Sequence, residues 1–386
     1  SPIINLNVDI LNPQFDKIKG KSLSGEIHYE NELSSLDNLN LKTINGTYTG
    51  GGKVPVNLNI FGKHSDFKNK QDLDFTFSGQ TTEFEFLTPY FDIIDSINGQ
   101  IKLELNLSGS HSNPIRNGSI EINHAKLNLM PLENTIYGIN GTAKIENNIF
   151  KIENLNGITD NKLSSNGINR LSQIFNSIFG SERQKMDQYI NSYGTMDLTE
   201  FFNPDFDLSF NSNDVYLSSI NKNFRGNASA NFEILGKDTI FINGVFNPLP
   251  NKFTFLMEFD DEDDLSEEKI QKGKVLAYDI HIPLENGVKI ENSQMDGLID
   301  GDVILTSIGN EPFSFSGNIN VVDGSFYFNG NTIDQISGNI LLDPAELDPI
   351  IDFTGITNVA GKDIELSLNG EMENPNLLLE SISDPD

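Results

Sequence analysis

The sequence predicts an all-β protein. Apolar and polar residues alternate with period two through most of the chain, and turn-forming dipeptides separate the alternating runs at spacings of roughly 8–14 residues. Helical and strand patterns do not take turns, as a parallel α/β sheet would require. Together these give about 25 short strands.

Successive side chains on a strand point to opposite faces, so each run defines one apolar and one polar face. Leu73, Phe75 and Phe77 alternate with Asp72, Asp74, Thr76 and Ser78. Ile101, Leu103, Leu105 and Leu107 alternate with Gln100, Lys102, Glu104, Asn106 and Ser108. The pattern recurs at Phe206, Leu208 and Phe210, at Phe313 and Phe315, and at Ile319 and Val321. It closes with Phe326 and Phe328 and with Ile364, Leu366 and Leu368. Asn-Gly pairs stand at 45–46, 98–99, 117–118, 140–141, 156–157, 166–167, 243–244, 286–287, 329–330 and 369–370. Both residues tolerate positive φ, so each pair is expected to be a tight hairpin turn.

One stretch departs from the pattern. Within 167–193, Leu171, Ile174, Phe175, Ile178 and Phe179 recur at spacings of three and four, as on one face of a helix. Gly180 would end that helix, and a second short one would run through Met186, Tyr189 and Ile190. The acidic run at 258–268 reads as a solvated loop.

Composition narrows the function. There is no Cys, which removes disulfide frameworks, thiolate zinc sites and Cys nucleophiles. With 26 basic and 56 acidic residues the formal net charge is −30, which repels nucleic acid and anionic head groups. No apolar run approaches the ~18 residues of a spanning helix. The first residues do not read as a signal peptide, and the missing initiator Met fits a mature chain or a fragment.

Candidate chemistry is sparse. His28, His64, His111, His124 and His281 show no local metal-ligand spacing, so no metal or other cofactor is expected. The stretch from Gly46 to Val54 lacks the phosphate-loop Gly, with Thr47 in its place, and Val54 replaces the required hydroxyl; it reads as a glycine-rich turn. Asp260 to Asp264 lack calcium-loop spacing and its central Gly. The pairs Asp72 with Asp74 and Asp205 with Asp207 alternate with apolar residues, which marks a solvated face rather than a pair of catalytic acids.

One-faced strands pose a burial problem, because each large apolar side chain gains about 1.5–3 kcal/mol on leaving water. The sheet could pack on a second sheet, close into a barrel, or curl into a trough covered by something else, such as acyl chains. Alternation alone does not choose among these.

The last hundred residues carry an ordered succession of motifs. Leu298-Ile299-Asp300-Gly301-Asp302-Val303 precedes Phe315-Ser316-Gly317-Asn318-Ile319 and Val322-Asp323-Gly324-Ser325-Phe326-Tyr327-Phe328. Then come Ile336-Ser337-Gly338-Asn339-Ile340, Asp348-Pro349-Ile350-Ile351, Ile364 to Gly370, Asn374-Pro375-Asn376-Leu377 and Ser383-Asp384-Pro385. This order resembles the C-terminal domain of the TamB family, within the wider AsmA-like group of diderm bacteria. Leu342 departs from the usual Phe. A weaker likeness extends upstream through Ile97 to Ile101, Asn113 to Ile122 and Asn140 to Ala143.

The resemblance implies a long, curved, mostly antiparallel sheet rolled into an open, taco-like trough with an apolar interior, plus one short helical insertion. On that reading 1–95 is an N-terminal trough segment, 96–280 a middle segment with the helical insertion at 167–193, and 281–386 the TamB-like C-terminal domain. It implies a non-enzymatic periplasmic conduit for phospholipid acyl chains, working with an Omp85-type outer-membrane barrel protein and assisting outer-membrane protein assembly. The full-length protein would be tethered to the inner membrane by a segment outside this sequence. The alternating apolar residues named above would line the groove, and Leu171, Ile174, Phe175, Ile178 and Phe179 would form a lid. The alternatives are an adhesin or glycan-binding array of β-sandwiches, which would show linker-like composition shifts, and a polysaccharide-active β-helix, which would show a strict repeat.

Overall fold

A computed structural model describes residues 3–15, 18–56, 72–84, 94–110, 112–130, 132–159, 188–201, 203–256, 274–293, 295–328, 331–344, 348–359, 361–372 and 374–382. These residues form 22 β-strands and no helix, and 20 of the strands belong to one mostly antiparallel sheet. The sandwich is therefore not the solution this chain uses. The chain divides into two compact units, the first comprising Ser1–Met130, Thr135–Ile158 and Asn191–Leu208, the second the remainder.

The first unit is an antiparallel meander. Strand β1 (Ile4–Leu11) pairs with β4 (Ser22–Glu30), bypassing a two-strand hairpin of β2 (Gln14–Phe15) and β3 (Ile18–Lys19). The order continues through β5 (Leu33–Lys42), β6 (Gly46–Pro55), β7 (Leu73–Glu83), β8 (Ile94–Ser110), β9 (Asn113–Leu129) and β10 (Ile136–Glu146), each paired with the one before. Strands β11 (Ile149–Thr159) and β12 (Tyr189–Asp197) follow.

In the second unit, β13 (Asp205–Ser218, mostly in this unit) precedes β14 (Phe224–Gly236) and β15 (Thr239–Phe255), which pair antiparallel. Then β15 pairs parallel with β16 (Val275–Glu291). An antiparallel meander follows through β17 (Met295–Ile308), β18 (Ser314–Phe328), β19 (Asn331–Leu342), β20 (Ile350–Val359), β21 (Lys362–Glu371) and β22 (Asn376–Ser381).

Three expectations need correction. Tyr189 and Ile190 lie in β12, not in a helix; Ile190 is buried, and the aromatic and β-branched residues of this segment suit a pleated, half-buried surface. Residues 160–187, with the proposed lid Leu171, Ile174, Phe175, Ile178 and Phe179, lie outside the described residues, as does the acidic run at 258–268.

The second correction concerns the Asn-Gly pairs. Those at 98–99, 117–118, 140–141, 156–157, 243–244, 286–287 and 369–370 lie inside strands. Asn45-Gly46 sits at the β5–β6 turn, and 166–167 and 329–330 are outside the described residues. Among the described residues, Asn31-Glu32 (φ 53° and 63°) and Asn147-Asn148 (φ 50° and 70°) are two-residue hairpin loops with the paired positive φ that matches strand twist. Within strands, glycine meets a different demand. At Gly244 (φ 155°) an added Cβ would lie 2.0 Å from the Asn231 carbonyl oxygen. At Gly338 (φ 151°) it would lie 2.0 Å from that of Asp352 and 2.8 Å from the Phe353 Cα. These glycines let neighbouring strands approach and the sheet bend over its apolar face. Gly46 to Val54, expected as a turn, is strand β6 for a related reason: Tyr48 lies over Gly79, whose added Cβ would meet the ring at 2.3 Å, and stacks on Phe77 at 5.4 Å.

Candidate apolar inner face

Register puts the alternating apolar residues on one face of each unit. In the first unit, Leu73, Phe75 and Phe77 stand opposite Gly109, Leu107 and Leu105, and Leu103 and Ile101 continue the face opposite Gly79 and Thr81. The face extends over β9 and β10, where Leu103 meets Ile120 and Ile120 meets Ala143. Its centre is packed: Phe84, Ile101, Ile120 and Ala143 form a buried cluster. Around it Leu73, Phe75, Phe77, Leu103, Leu105 and Leu107 are only half-buried.

Phe206 is buried and Leu208 half-buried, and Leu208 sits across from Gly194, whose added Cβ would lie 2.8 Å from its Cα.

The inner face of the second unit is far more closed. One cross-strand row runs Val288, Ile299, Val321, Gly338, Phe353, Leu368 and Leu377, from β16 to β22. Val288 is 0% exposed and Phe353 2%, while Leu377 at the far end is 49% exposed. A single sheet cannot bury one face to that degree unless it curls and covers that face with its own side chains, as Ala228 and Phe253 of β14 and β15 do in the cluster with Phe353 and Leu368. Phe210 stacks with Phe232 at 6.1 Å, and Phe326 contacts Phe353 at 6.4 Å. Ile319 packs on the same core, Leu366 belongs to it, and Ile364 is half-buried.

Phe313 (51% exposed) and Phe315 (38%) lie at an open end of this face, with Phe313 5.6 Å from the Tyr278 ring. Burial among these groups raises the Tyr278 phenol above its ordinary value. The side chain of Phe328 lies outside the described residues. The residues expected to line one groove thus fall into two kinds. Ile101, Phe206, Val321, Leu366 and Leu368 are core, whereas the half-buried residues of β7 and β8 and the Phe313–Phe315 end remain accessible.

The opposite face is polar. Asp72, Asp74, Asp205 and Asp207 are exposed there, apart from any site. Its ion pairs include Lys144–Glu153 at 3.0 Å, Lys102–Glu121 at 3.8 Å and Lys252–Asp214 at 2.8 Å, and such solvated pairs contribute little. Arg225, Lys252 and Lys289 line an open cavity of about 620 Å³ with Asp214 and Glu291. Lys289 donates to Glu291 at 2.8 Å, which raises the ammonium and lowers the carboxyl from their ordinary values, chiefly through that hydrogen bond. Among the described residues no group of three or more His, Asp or Glu could hold a metal ion.

One inward residue escapes the alternation reading. Arg116 pairs with Leu107 and so shares its apolar face, one row beyond Gly118 opposite Leu105. Counting back in twos from Ile122 through Ile120 and Gly118 reaches it. The Asn117-Gly118 pair, read as a turn, breaks that count.

These features define a β protein in which each unit gathers apolar residues on one face of its strands and charged residues on the other. Residues 258–386 match the family model of the TamB C-terminal domain, so that stretch of the chain is similar to the TamB family. That family is a transport and assembly component of the bacterial envelope, works with an Omp85-type partner and is not an enzyme family. No curated protein matches the chain.

Proposed function

We propose that this chain is a non-enzymatic lipid conduit of the periplasm, tethered to the inner membrane in the full-length protein and reaching the outer membrane. Phospholipid acyl chains lie on its apolar inner face, and with an Omp85-type partner it also assists outer-membrane protein assembly. The observation that carries the reading is the half-buried strip Leu73, Phe75, Phe77, Leu103, Leu105 and Leu107. Full burial of each would contribute about 1.5–3 kcal/mol, so leaving six partly in water forgoes roughly 1–6 kcal/mol. An acyl chain laid along the strip recovers part of that without covalent chemistry. The acidic outer face keeps such a sheet soluble.

The test is organic extraction and mass spectrometry of the detergent-free protein, beside a Leu103→Asp, Leu105→Asp, Phe315→Asp variant checked for retained β-structure by circular dichroism. Stoichiometric phospholipid in the parent and its loss from the folded variant are expected. A folded parent free of lipid, and unable to take it up from vesicles, would defeat the proposal.

A further inference from the structure

Arg116 is an unusual residue for its position. It is a cation on the apolar inner face of the first unit, in a cross-strand row with Phe75 and Leu107. Its backbone N–H donates to the Asn148 Oδ1 at 2.9 Å, and its Nη1 donates to the same oxygen at 3.2 Å and to the Leu198 carbonyl at 3.0 Å. The Phe201 ring stands 5.3 Å from the guanidinium carbon.

Every one of these partners is neutral. In a chain with 56 acidic residues and 26 basic ones, Arg116 pairs with no carboxylate among the described residues. Burial pulls its pKa down from the ordinary guanidinium value, and no neighbouring acid opposes that shift. A guanidinium has five N–H donors in a rigid fork. Nη1 is used here, which leaves Nε and Nη2 without a protein acceptor among the described residues.

The acceptor that fits such a fork is planar or tetrahedral and anionic, a carboxylate or a phosphate, bound through paired N–H···O bonds. The strip beside it tells a free anion from the head of an amphiphile. From the Arg116 row the inner face runs through Leu105, Leu103 and Ile101, three same-face steps of about 6.7 Å each. A site with a cation at one end and apolar residues beyond suits an amphiphile with an anionic head.

We propose that Arg116 is a head-group anchor: it binds the phosphate of an amphiphile whose hydrocarbon chain lies on the Phe75–Leu107 strip. The anchor rests on the lipid-conduit reading and adds to it a fixed point for the head group. Asn148, the Leu198 carbonyl and Phe201 fix the guanidinium in place on this face. The long-range repulsion from a charge of −30 is screened beyond about 8 Å at physiological salt, so the local cation decides binding.

The experiment is a titration of the full chain at about 0.15 M salt with dodecyl phosphate, dodecyl maltoside and inorganic phosphate, repeated with Arg116→Gln and Arg116→Lys. The two amphiphiles share a chain and differ in the head. Arg116→Gln is expected to weaken dodecyl phosphate about tenfold and leave dodecyl maltoside unchanged, with Arg116→Lys in between. Equal dodecyl phosphate affinity in the parent and in Arg116→Gln would overturn the anchor while leaving the conduit intact. If inorganic phosphate bound as tightly as dodecyl phosphate, the amphiphile assignment would fall and a free-phosphate site would replace it. If the parent bound neither amphiphile, the conduit reading itself would fail. Equal loss of both amphiphiles in a variant with a parental circular dichroism spectrum would refute a head-specific role.

Discussion

Truncating Phe353 separates a packed floor from an accessible lining. Phe353 is 2% exposed, contacts Phe326 and stands across from Gly338. Phe353→Ala removes the ring and leaves a cavity. Gly338 has no side chain to move into it, and its backbone is fixed by its own close approach to Asp352. The cost should fall at the upper part of the Phe→Ala range, about 3–5 kcal/mol. Phe315→Ala is the control on the same face. Phe315 is 38% exposed, so the area it returns to water is smaller and little cavity forms, giving about 1–2 kcal/mol. Urea unfolding followed by far-ultraviolet circular dichroism gives the midpoints, and hydrogen exchange at β20 amides assigns the transition to the second unit. Equal midpoint shifts, or a larger one for Phe315→Ala, would refute the argument that burial along this face is graded from floor to rim.

Gly338→Ala should destabilise the second unit by at least 1–3 kcal/mol, about the cost of a glycine-only backbone conformation, before the 2.0 Å contact with the Asp352 carbonyl is counted; an unchanged urea midpoint would show that the strands separate freely there. Glu291→Gln should cost less than about 1 kcal/mol at neutral pH, because the pair with Lys289 is largely solvated. The Glu291 carboxyl is lowered from 4.5, so its contribution is present above that value and is lost as pH falls through the lower, folded value. Lys289 is raised from 10.5, so its contribution is present below that value and is lost as pH rises through the higher, folded one. The difference between parent and variant should therefore shrink at both extremes, and one that persists at pH 2 would contradict the pairing.

Alternation made the strands and the inner face legible. Leu73, Phe75 and Phe77 share a face with Leu103, Leu105 and Leu107 as their spacing requires. Depth was not legible. Period two assigns a residue to a face but is silent on what covers it, so Val321, 3% exposed, and Phe315, 38% exposed, look equivalent in the sequence. Glycine was the other obscurity. A turn that needs positive φ and a strand that needs close approach both select it, and only the register of the neighbouring strand tells them apart. Gly244 and Gly338 belong to the second kind. The same ambiguity hid Arg116, because reading Asn117-Gly118 as a turn ends the strand one residue beyond it.

The parallel step between β15 and β16 has a kinetic consequence. From β16 to β22 each pairing joins strands consecutive in the chain, so that part of the sheet can zip up locally, each new strand finding a waiting edge. Thr239 to Val245 lie beside Val275 to His281 in the same direction, so the chain must travel back the length of a strand before these partners meet. Local hairpins form in microseconds, whereas non-local pairings first pay loop-closure entropy. This junction is therefore the natural slow step in assembling the second unit. Until it closes, the edges of β15 and β16 stand open side by side, each a template for the wrong neighbour.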